Sequence, residues 1–204
     1  VHHTSAVGIS KTESAAATLE ALNPHPKIVK HDERLTAKNA LALLSDYDIV
    51  ADGSDNFATR YLVNDACYLA KKPLVFAAVG PFDGYVTTFR AFERDPDGTP
   101  NPNYRCIFPE APPPGTVANC AEVGILGAVA GVIGTLQATE ILKEILGIGE
   151  SLVGRLLIYD ARACRFETVN ISWDPENPLN GEKPTLLDLS SHAAAKGMAQ
   201  ACDG

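Results

Sequence analysis

The chain has 204 residues, 46% of them apolar, and this length and composition suit one ordinary globular domain. Its 17 basic and 25 acidic side chains leave a net charge of −8, which argues against a nucleic-acid partner. No stretch reaches the roughly 20 apolar residues that a bilayer crossing requires, and the first ten residues lack the pattern of a secretory signal. Five cysteines spread singly along the chain favour reduced thiols, so we expect a cytoplasmic protein without a membrane segment.

Over the first two thirds of the chain, short β-branched runs alternate with amphipathic stretches, the pattern of a sheet covered by helices. We therefore predict the α/β class. A helix is predicted over Lys11–Leu22, because Ser10 and Glu13 have the spacing of a capping box. The elements predicted next are a strand over residues 27–31, a short helix over 36–44, a buried strand over 48–51 and a helix over 56–71.

The sheet is predicted to be mixed. Residues 74–79 have the pattern of a strand, and Asp83-Gly84 turns the chain into a second strand over residues 85–92. A turn that tight joins antiparallel neighbours, whereas parallel strands need a crossover helix. Two later strands, over residues 155–160 and 165–171, are predicted to form a final hairpin.

Two long segments lie between the strand predicted over residues 85–92 and the final hairpin. Residues 93–115 carry seven prolines and no periodicity, and loops of this length in compact domains are usually functional. Residues 121–146 have the composition of a helix with glycines at three- or four-residue spacing. We interpret the glycine face as one that packs closely against the sheet, and a ligand groove is the alternative. The glycines are Gly124, Gly127, Gly131 and Gly134. For the chain as a whole we expect one domain over residues 1–172 and an irregular tail over residues 173–204.

Two carboxylates, Asp52 and Asp55, come just after the apolar strand predicted over residues 48–51. Ligands of open α/β sheets bind at the carboxyl ends of the strands, so two exposed acids there are suited to Mg²⁺ bound to nucleotide phosphates. The alternative is an Asx turn followed by a helix cap at Asn56, and position alone supports both interpretations equally. Arg60 lies one helical turn beyond Asn56 and is within reach of the same site, although an ordinary surface arginine is the simpler interpretation.

Lys11 and Cys120 both lie at predicted helix N-termini, where unpaired N–H groups and the helix dipole favour negative charge. Lys11 is therefore a candidate for binding phosphate, whereas most first-turn lysines are simply solvated. A thiol in such a position has a lowered pKa and becomes nucleophilic, so Cys120 is a candidate for covalent chemistry. The alternative for Cys120 is a small packed residue between a loop and a helix.

Six motifs stand in a fixed order along the chain. They are Val7-Gly8 with Lys11; Asp52-Gly-Ser-Asp55-Asn56 with Arg60; Tyr104-Arg105-Cys106-Ile-Phe-Pro109; Cys120-Ala-Glu122; Gly131-Val-Ile-Gly134-Thr-Leu-Gln137-Ala-Thr-Glu140; and the run from Gly147 through Gly154 to Tyr159-Asp160-Ala161. In this order they resemble the MoeB/ThiF/HesA family, the bacterial relatives of ubiquitin-activating enzymes. The resemblance covers about residues 1–178, and six ordered motifs are far more specific than any one of them.

The resemblance implies a Rossmann-like mixed sheet with helices on both faces, in an enzyme that uses Mg-ATP. Such enzymes adenylate the C-terminal glycine of a ubiquitin-like sulfur-carrier protein for molybdopterin or thiamin biosynthesis, and they are typically homodimers. Carried over to this sequence, the resemblance assigns Lys11 to the ATP phosphates and Asp55 to Mg²⁺ and the phosphates. Cys120 matches a position where some members form a covalent link with the carrier, while other members lack that cysteine. The residues beside Lys11 and Asp55 in the motifs are Asp52, Asn56 and Arg60.

Two departures from the family pattern lead to further expectations. Many relatives bind structural zinc through two cysteine pairs, but Asn103 replaces the first cysteine and residues 174–178 contain none. Since only Cys106 is left, we predict no zinc. The chain begins within a motif and shows no counterpart of the family's first strand, glycine-rich loop and helix, so we expect an N-terminally incomplete sequence. The alternative function is a catalytically incomplete remnant that binds the carrier, or dimerises, without ATP chemistry.

Overall fold

The computed structural model describes residues 1–113 and 124–193, which form two compact units. The first unit is Val1–Leu35, and the second begins at Thr36. The candidate nucleophile Cys120 lies outside the described residues, as do the predicted helix start at residues 121–123 and the end of the predicted tail.

The first unit is built on helix α1, Lys11–Leu22, whose bounds are those that the capping motif predicts. The Ser10 side chain accepts a hydrogen bond of 3.3 Å from the Glu13 backbone N–H, which satisfies a free donor of the first turn. A 3₁₀ turn, Thr4–Ala6, precedes the helix. The strand predicted over residues 27–31 is wrong, because this run pairs with no other strand in the described part of the chain.

The second unit contains a five-stranded sheet, and the predicted α/β class with a mixed sheet is confirmed. In order across the sheet the strands are β1 Val50–Asp52, β2 Leu74–Val79, β3 Asp83–Phe89, β4 Arg155–Asp160 and β5 Arg165–Asn170. Strands β1 and β2 are parallel, and every later neighbouring pair is antiparallel, so the predicted final hairpin is also confirmed. The turn between β2 and β3 lies slightly before the predicted Asp83-Gly84, because the Gly80 N–H closes it by donating to the Asp83 carbonyl at 2.8 Å.

Within the described residues, the second unit has five helices, and none is both long and apolar enough to span a bilayer. They are α2 Ala40–Ser45, α3 Phe57–Ala70, α4 Tyr104–Ile107, α5 Gly127–Leu146 and α6 Ser190–Ala193. Helix α2 begins four residues later than predicted, because the Asn39 side chain accepts a hydrogen bond of 2.7 Å from the Thr36 N–H and keeps the intervening residues in a turn. Helix α3 follows the prediction closely.

Helices cover both faces of the sheet, as the resemblance implies. On one face α5 packs against β2 and β3, where Ile133 joins Ala77 and Val86 in an apolar core. On the other face the Phe76 ring of β2 lies 5.1 Å from the Tyr104 ring of α4. Successive residues of a strand point to opposite faces, so the neighbours Phe76 and Ala77 belong to different layers.

The glycine face of α5 is not packed against the sheet, so our interpretation of close packing is wrong. Among the described residues, a Cβ atom built on Gly127, Gly131 or Gly134 would meet no atom within 4 Å. The helix buries Val129 and Ile133 toward the sheet and turns its glycines to the open side. This side of the helix is a shallow open surface, which we call the α5 groove; it is lined by Ala128, Gly131, Val132, Thr135 and Leu136.

Buried asparagines hold the segment that follows β5. Asn103 Nδ2 donates to Asn180 Oδ1 at 2.7 Å, and Asn177 Nδ2 donates to Asn103 Oδ1 at 3.3 Å. Asn180 Nδ2 also donates to the Asn101 carbonyl at 3.0 Å. These side chains, which we call the amide cluster, fix an otherwise irregular segment to the loop that precedes α4, because buried amides are stable only when they are hydrogen-bonded.

Candidate functional site

The carboxyl end of β1 leads into a short loop that is held from inside the protein. Asp52 is 4% exposed, and its Oδ1 accepts a hydrogen bond of 2.8 Å from the Ser54 N–H. Within the described chain its other oxygen, Oδ2, is buried without a hydrogen-bond partner. The expectation of two exposed acids at this edge is therefore wrong for Asp52, which turns inward and closes an Asx-type turn.

Asp55 is the acid of this pair that faces solvent. Its Oδ1 accepts a hydrogen bond of 3.2 Å from Asn56 Nδ2, while Asn56 Oδ1 accepts one of 2.9 Å from the Thr59 N–H and caps α3. Among the described residues, a Cβ atom built on Gly53 would meet nothing within 4 Å, so the space beside the loop is open. An exposed carboxylate next to open space is suited to a hydrated cation.

Arg60 closes the loop from its other side. Its Nε and Nη2 donate to the Ser54 carbonyl oxygen at 3.2 and 3.1 Å. The guanidinium carbon also lies 5.4 Å from the centre of the Phe57 ring and 5.9 Å from that of Phe76, which are cation–π distances. Arg60 is therefore a partly buried residue that fixes the loop, and not an ordinary surface arginine.

A buried phenol and a buried thiol lie close to the charged residues of the loop. Burial raises the pKa of Tyr104, and the charge and hydrogen bond of Arg60 partly oppose that rise. Burial also raises the pKa of the Cys67 thiol, and the charge of Asp52 adds to the effect. Both shifts favour the protonated form of the group, so we assign neither of them a role as nucleophile or general base.

Sequence reasoning assigned no role to Gln137, which reaches the same loop from α5. Its Nε2 donates to the Asp52 carbonyl oxygen at 2.9 Å and to the Val75 carbonyl oxygen at 3.0 Å. A signal was present in the sequence, because Gln137 follows Val129 and Ile133 at four-residue spacing on the buried stripe of the helix. A polar side chain on such a stripe needs a hydrogen-bond partner.

Two predicted site residues do not belong to this loop. Lys11 is the first residue of α1 in the first unit and is exposed, which is the position that phosphate binding at a helix N-terminus requires. Cys120 lies outside the described residues, so its predicted role stays a prediction. The described cysteines are all free thiols; they are Cys67, Cys106 and Cys164.

A second charged cluster, which the sequence analysis missed, connects α3 with α4 and α6. Arg105 donates two hydrogen bonds to the Asp65 carboxylate, and His192 Nε2 lies 2.8 Å from Asp65 Oδ2. Burial by itself would raise the pKa of Asp65, but the hydrogen bonds from Arg105 and His192 outweigh burial and hold this pKa below its ordinary value. The cluster ties the helices together.

Amide side chains occupy the positions at which the resemblance would place zinc-binding cysteines. Asn103 belongs to the amide cluster, and Asn177 Nδ2 donates to Cys106 Sγ at 3.1 Å. No group of three or more His, Cys, Asp or Glu side chains is arranged to hold a metal ion in the described part of the chain. The absence of zinc from the protein stays a prediction.

Most of the chain matches one known protein family. Residues 1–179 match the sequence profile of the ThiF family. The chain belongs to the ThiF family. The resemblance that the six ordered motifs indicated is thereby confirmed.

Curated relatives of this ThiF-family chain are named as adenylyltransferases or activating enzymes. The sulfur carrier protein adenylyltransferase of Thermus thermophilus is 45% identical over 198 residues, which are 97% of this chain and 72% of that protein. The probable adenylyltransferase/sulfurtransferase MoeZ of Mycobacterium tuberculosis is 46% identical and is matched over 100% of this chain and 51% of its own length. The SAMP-activating enzyme E1 of Haloferax volcanii is 46% identical, over 89% of this chain and 64% of that enzyme. The chain thus spans between about half and three quarters of these relatives.

Solved structures share the fold. Escherichia coli MccB with MccA-N7isoASN superposes with a TM-score of 0.68 at 18% identity, over 88% of this chain and 54% of MccB. MccB with ATP superposes with a TM-score of 0.65 at 18% identity, over 88% of this chain and 53% of MccB. At this identity the likeness concerns the fold alone, and it confirms the Rossmann-like arrangement.

Proposed function

We propose that this ThiF-family chain uses Mg-ATP to adenylate the C-terminal glycine of a ubiquitin-like sulfur-carrier protein in the cytoplasm. The observation that carries the proposal is the exposed Asp55 carboxylate on a fixed loop at the carboxyl end of β1. Ligands of open α/β sheets bind at this edge. Relatives that are 45% and 46% identical are named adenylyltransferases, which supports the same chemistry here.

The residues of the loop fit a magnesium nucleotide. Asp55 offers carboxylate oxygens beside open space, and Mg²⁺ in nucleotide sites is typically held by one or two carboxylates together with the phosphates. Lys11, exposed at the start of α1, would add a positive charge for the phosphates. When bound, Mg-ATP supplies an electrophilic α-phosphorus and a pyrophosphate leaving group.

The protein's part in this reaction is positioning and charge neutralisation. A carboxylate oxygen of the carrier's terminal glycine forms a bond to the α-phosphorus while the bond to pyrophosphate breaks, and negative charge spreads over the phosphate oxygens. We assign Asp55 and Lys11 to that charge, and Asn56 to capping α3 and orienting Asp55. Asp52 and Arg60 serve the nucleotide by shaping the loop from within. Cys120 is assigned to a later step, in which its thiolate attacks the carbonyl carbon of the adenylated glycine, so that a thioester forms and AMP leaves.

We also propose that a second copy of the chain covers the α5 groove. No charged residue occurs between Gly127 and Thr139, and the same helix exposes Leu142 and Ile145 by 57% and 61%. Monomeric proteins rarely leave a contiguous apolar surface of this kind open to water. Glycines on the open side allow a partner backbone to approach closely, and a two-fold axis would pair the groove with its own copy.

The proposed activity is tested by ATP–pyrophosphate exchange with the protein as its genome encodes it. One assay includes a carrier of the molybdopterin pathway and another a carrier of the thiamin pathway, so that the carrier that supports exchange names the pathway. We expect Asp55→Asn to lower the exchange rate by about 100-fold or more, because a charge-stabilising group at the phosphates is lost. Exchange that does not depend on Asp55 would contradict the proposal.

The chain offers a matched control. Asp48 is an exposed aspartate just before the amino end of β1, whereas Asp55 follows the carboxyl end of the same strand. Asp48→Asn should change the exchange rate by less than about twofold, as surface substitutions outside a site usually do. If calorimetry shows carrier binding while the unaltered protein exchanges no pyrophosphate with either carrier, the incomplete remnant is the better account.

A further inference from the structure

We infer that Gln137 is a positioning residue for the proposed adenylation, acting through the loop that carries Asp55. The inference rests on the proposed function. It is independent of Lys11 and Cys120, because every contact that carries it lies within the described residues of the second unit.

One side chain connects the carboxyl end of β1 to the second residue of β2. The amide nitrogen of Gln137 has two N–H donors, and it donates to the carbonyl of Asp52 at 2.9 Å and to that of Val75 at 3.0 Å. Asp52 is the last residue of β1, and Val75 lies in β2 opposite Ala51. Buried carbonyls need hydrogen-bond donors, so the amide of Gln137 fastens the carboxyl end of β1 to its neighbour.

Three attachments then fix the backbone up to Asp55. Gln137 holds the Asp52 carbonyl, the Asp52 carboxylate accepts from the Ser54 N–H, and Arg60 donates to the Ser54 carbonyl. Asp55 is the next residue, so the position of its exposed carboxylate depends on these three attachments in series. Because β1 has only three residues and pairs with β2 alone among the described strands, its own ladder gives the loop little support.

The strength of the expected effect follows from the geometry of phosphoryl chemistry. Displacement of a reacting group by about 1 Å costs about 100-fold in rate, even when the altered residue is remote from the reacting atoms. Gln137→Met keeps the length of the side chain but removes both donors, so it releases the end of β1. We expect it to lower kcat for pyrophosphate exchange by about 10- to 100-fold and to raise the Mg²⁺ concentration needed for half-maximal rate.

A graded series tests the two donors. Gln137→His retains one N–H, so its rate of pyrophosphate exchange should lie between those of the unaltered protein and Gln137→Met. If Gln137→Met does not fold, Gln137→His is the milder variant for the same measurement. Ile133→Val is the control for lost stability, since Ile133 lies in the core on the same helix. Thr139→Ala is the control for α5 itself, because Thr139 bonds only a carbonyl of its own helix among the contacts described. Both controls should remain within about twofold of the unaltered rate.

Two measurements separate positioning from general destabilisation. Hydrogen exchange of the amides of residues 53–56 should accelerate in Gln137→Met and stay unchanged in Ile133→Val at equal distance below the melting temperature. The second measurement is the rate of ATP–pyrophosphate exchange in a double variant. When Asp55→Asn is already present, adding Gln137→Met should lower this rate by less than about twofold, since the effects of residues that act through one another are not additive.

The outcomes are distinguishable. If the unaltered protein exchanges no pyrophosphate, the proposed function fails, and hydrogen exchange of residues 53–56 still decides whether Gln137 holds the loop. If the unaltered protein is active and Gln137→Met matches Ile133→Val in rate, Mg²⁺ dependence and amide protection, the inference is overturned.

Discussion

Arg105 and Asp65 form a buried ion pair with two hydrogen bonds, of 2.9 Å from Arg105 Nε to Asp65 Oδ1 and 2.7 Å from Arg105 Nη2 to Asp65 Oδ2. The Asp65 side chain is 2% exposed and that of Arg105 is 12% exposed. The pair joins the middle of α3 to α4, directly beside the buried Tyr104. Breaking such a pair is more costly than never forming it, because the partner left behind is a buried charge.

Removing Arg105 should therefore destabilise the fold strongly. We expect Arg105→Met to lower the free energy of unfolding by up to about 3–5 kcal/mol, because the buried Asp65 carboxylate loses both guanidinium hydrogen bonds and keeps only its contacts with Asn64 and His192. The double variant Arg105→Met with Asp65→Leu should recover most of that loss, since two apolar groups replace the pair. Urea unfolding at neutral pH measures both, and a loss below about 1 kcal/mol in Arg105→Met would show that the pair is not closed in solution.

Asp65 should also make stability depend on acid. Its folded-state pKa lies below the ordinary value of 3.8, so ionised Asp65 contributes stability in full above that value. The contribution is lost as the pH falls from 3.8 through the folded-state pKa, because protonation then favours the unfolded chain. Urea midpoints should fall more steeply in this acid range for the unaltered protein than for Asp65→Asn, and parallel curves would contradict the assignment.

Gly84 is required by the close approach of α5 to β3. A Cβ atom at Gly84 would overlap the side chain of Ile133. We expect Gly84→Ala to destabilise the protein by about 1–3 kcal/mol, the usual cost of overpacking a core. In Gly84→Ala the further substitution Ile133→Ala should cost less than it does alone, because it removes the Cγ1 and Cδ1 atoms that the added methyl would meet. A double-mutant cycle by thermal unfolding measures this coupling, and additive effects would show that the helix shifts freely.

The amide cluster should stabilise the fold without metal. The Asn180 side chain accepts a hydrogen bond from Asn103 at 2.7 Å and donates to two backbone carbonyls. Asn180→Ala leaves these buried groups without that partner and should lower the free energy of unfolding by about 2–3 kcal/mol. A chelator such as EDTA should leave the melting temperature of the unaltered protein unchanged. A chelator-dependent fall in that temperature, together with zinc in the purified protein by elemental analysis, would contradict the predicted absence of zinc.

The α5 groove makes a prediction about assembly. Val132 lines the groove and is only partly buried, so Val132→Glu places a charge there without opening the core beneath α5. We expect light scattering to show a dimer for the unaltered protein and a monomer for Val132→Glu, because an unpaired charge in an apolar interface is costly. Glu150→Gln, at an exposed glutamate beyond α5, is the control and should remain dimeric.

The sequence alone predicted those parts of the fold that depend on neighbouring residues. The N-caps Ser10 and Asn56 bond to N–H groups three residues ahead, so the starts of α1 and α3 are local properties of the chain. The hairpin of β4 and β5 likewise joins strands separated by a short turn. The order of six motifs was sufficient for the family, because each motif is read without knowledge of its three-dimensional neighbours.

Tertiary structure decided which polar residues build the site and which face of α5 is covered. Gln137 meets the Asp52 carbonyl across 85 residues of sequence, and Asn103 meets Asn180 across 77. No local pattern records such pairs, since their energy depends on what lies opposite once the helices have packed on the sheet. The same holds for Asp52, whose carboxylate turns inward. It holds also for Gly131, because the spacing of the glycines in α5 predicts that another backbone can approach the helix but does not say whether that backbone belongs to the sheet.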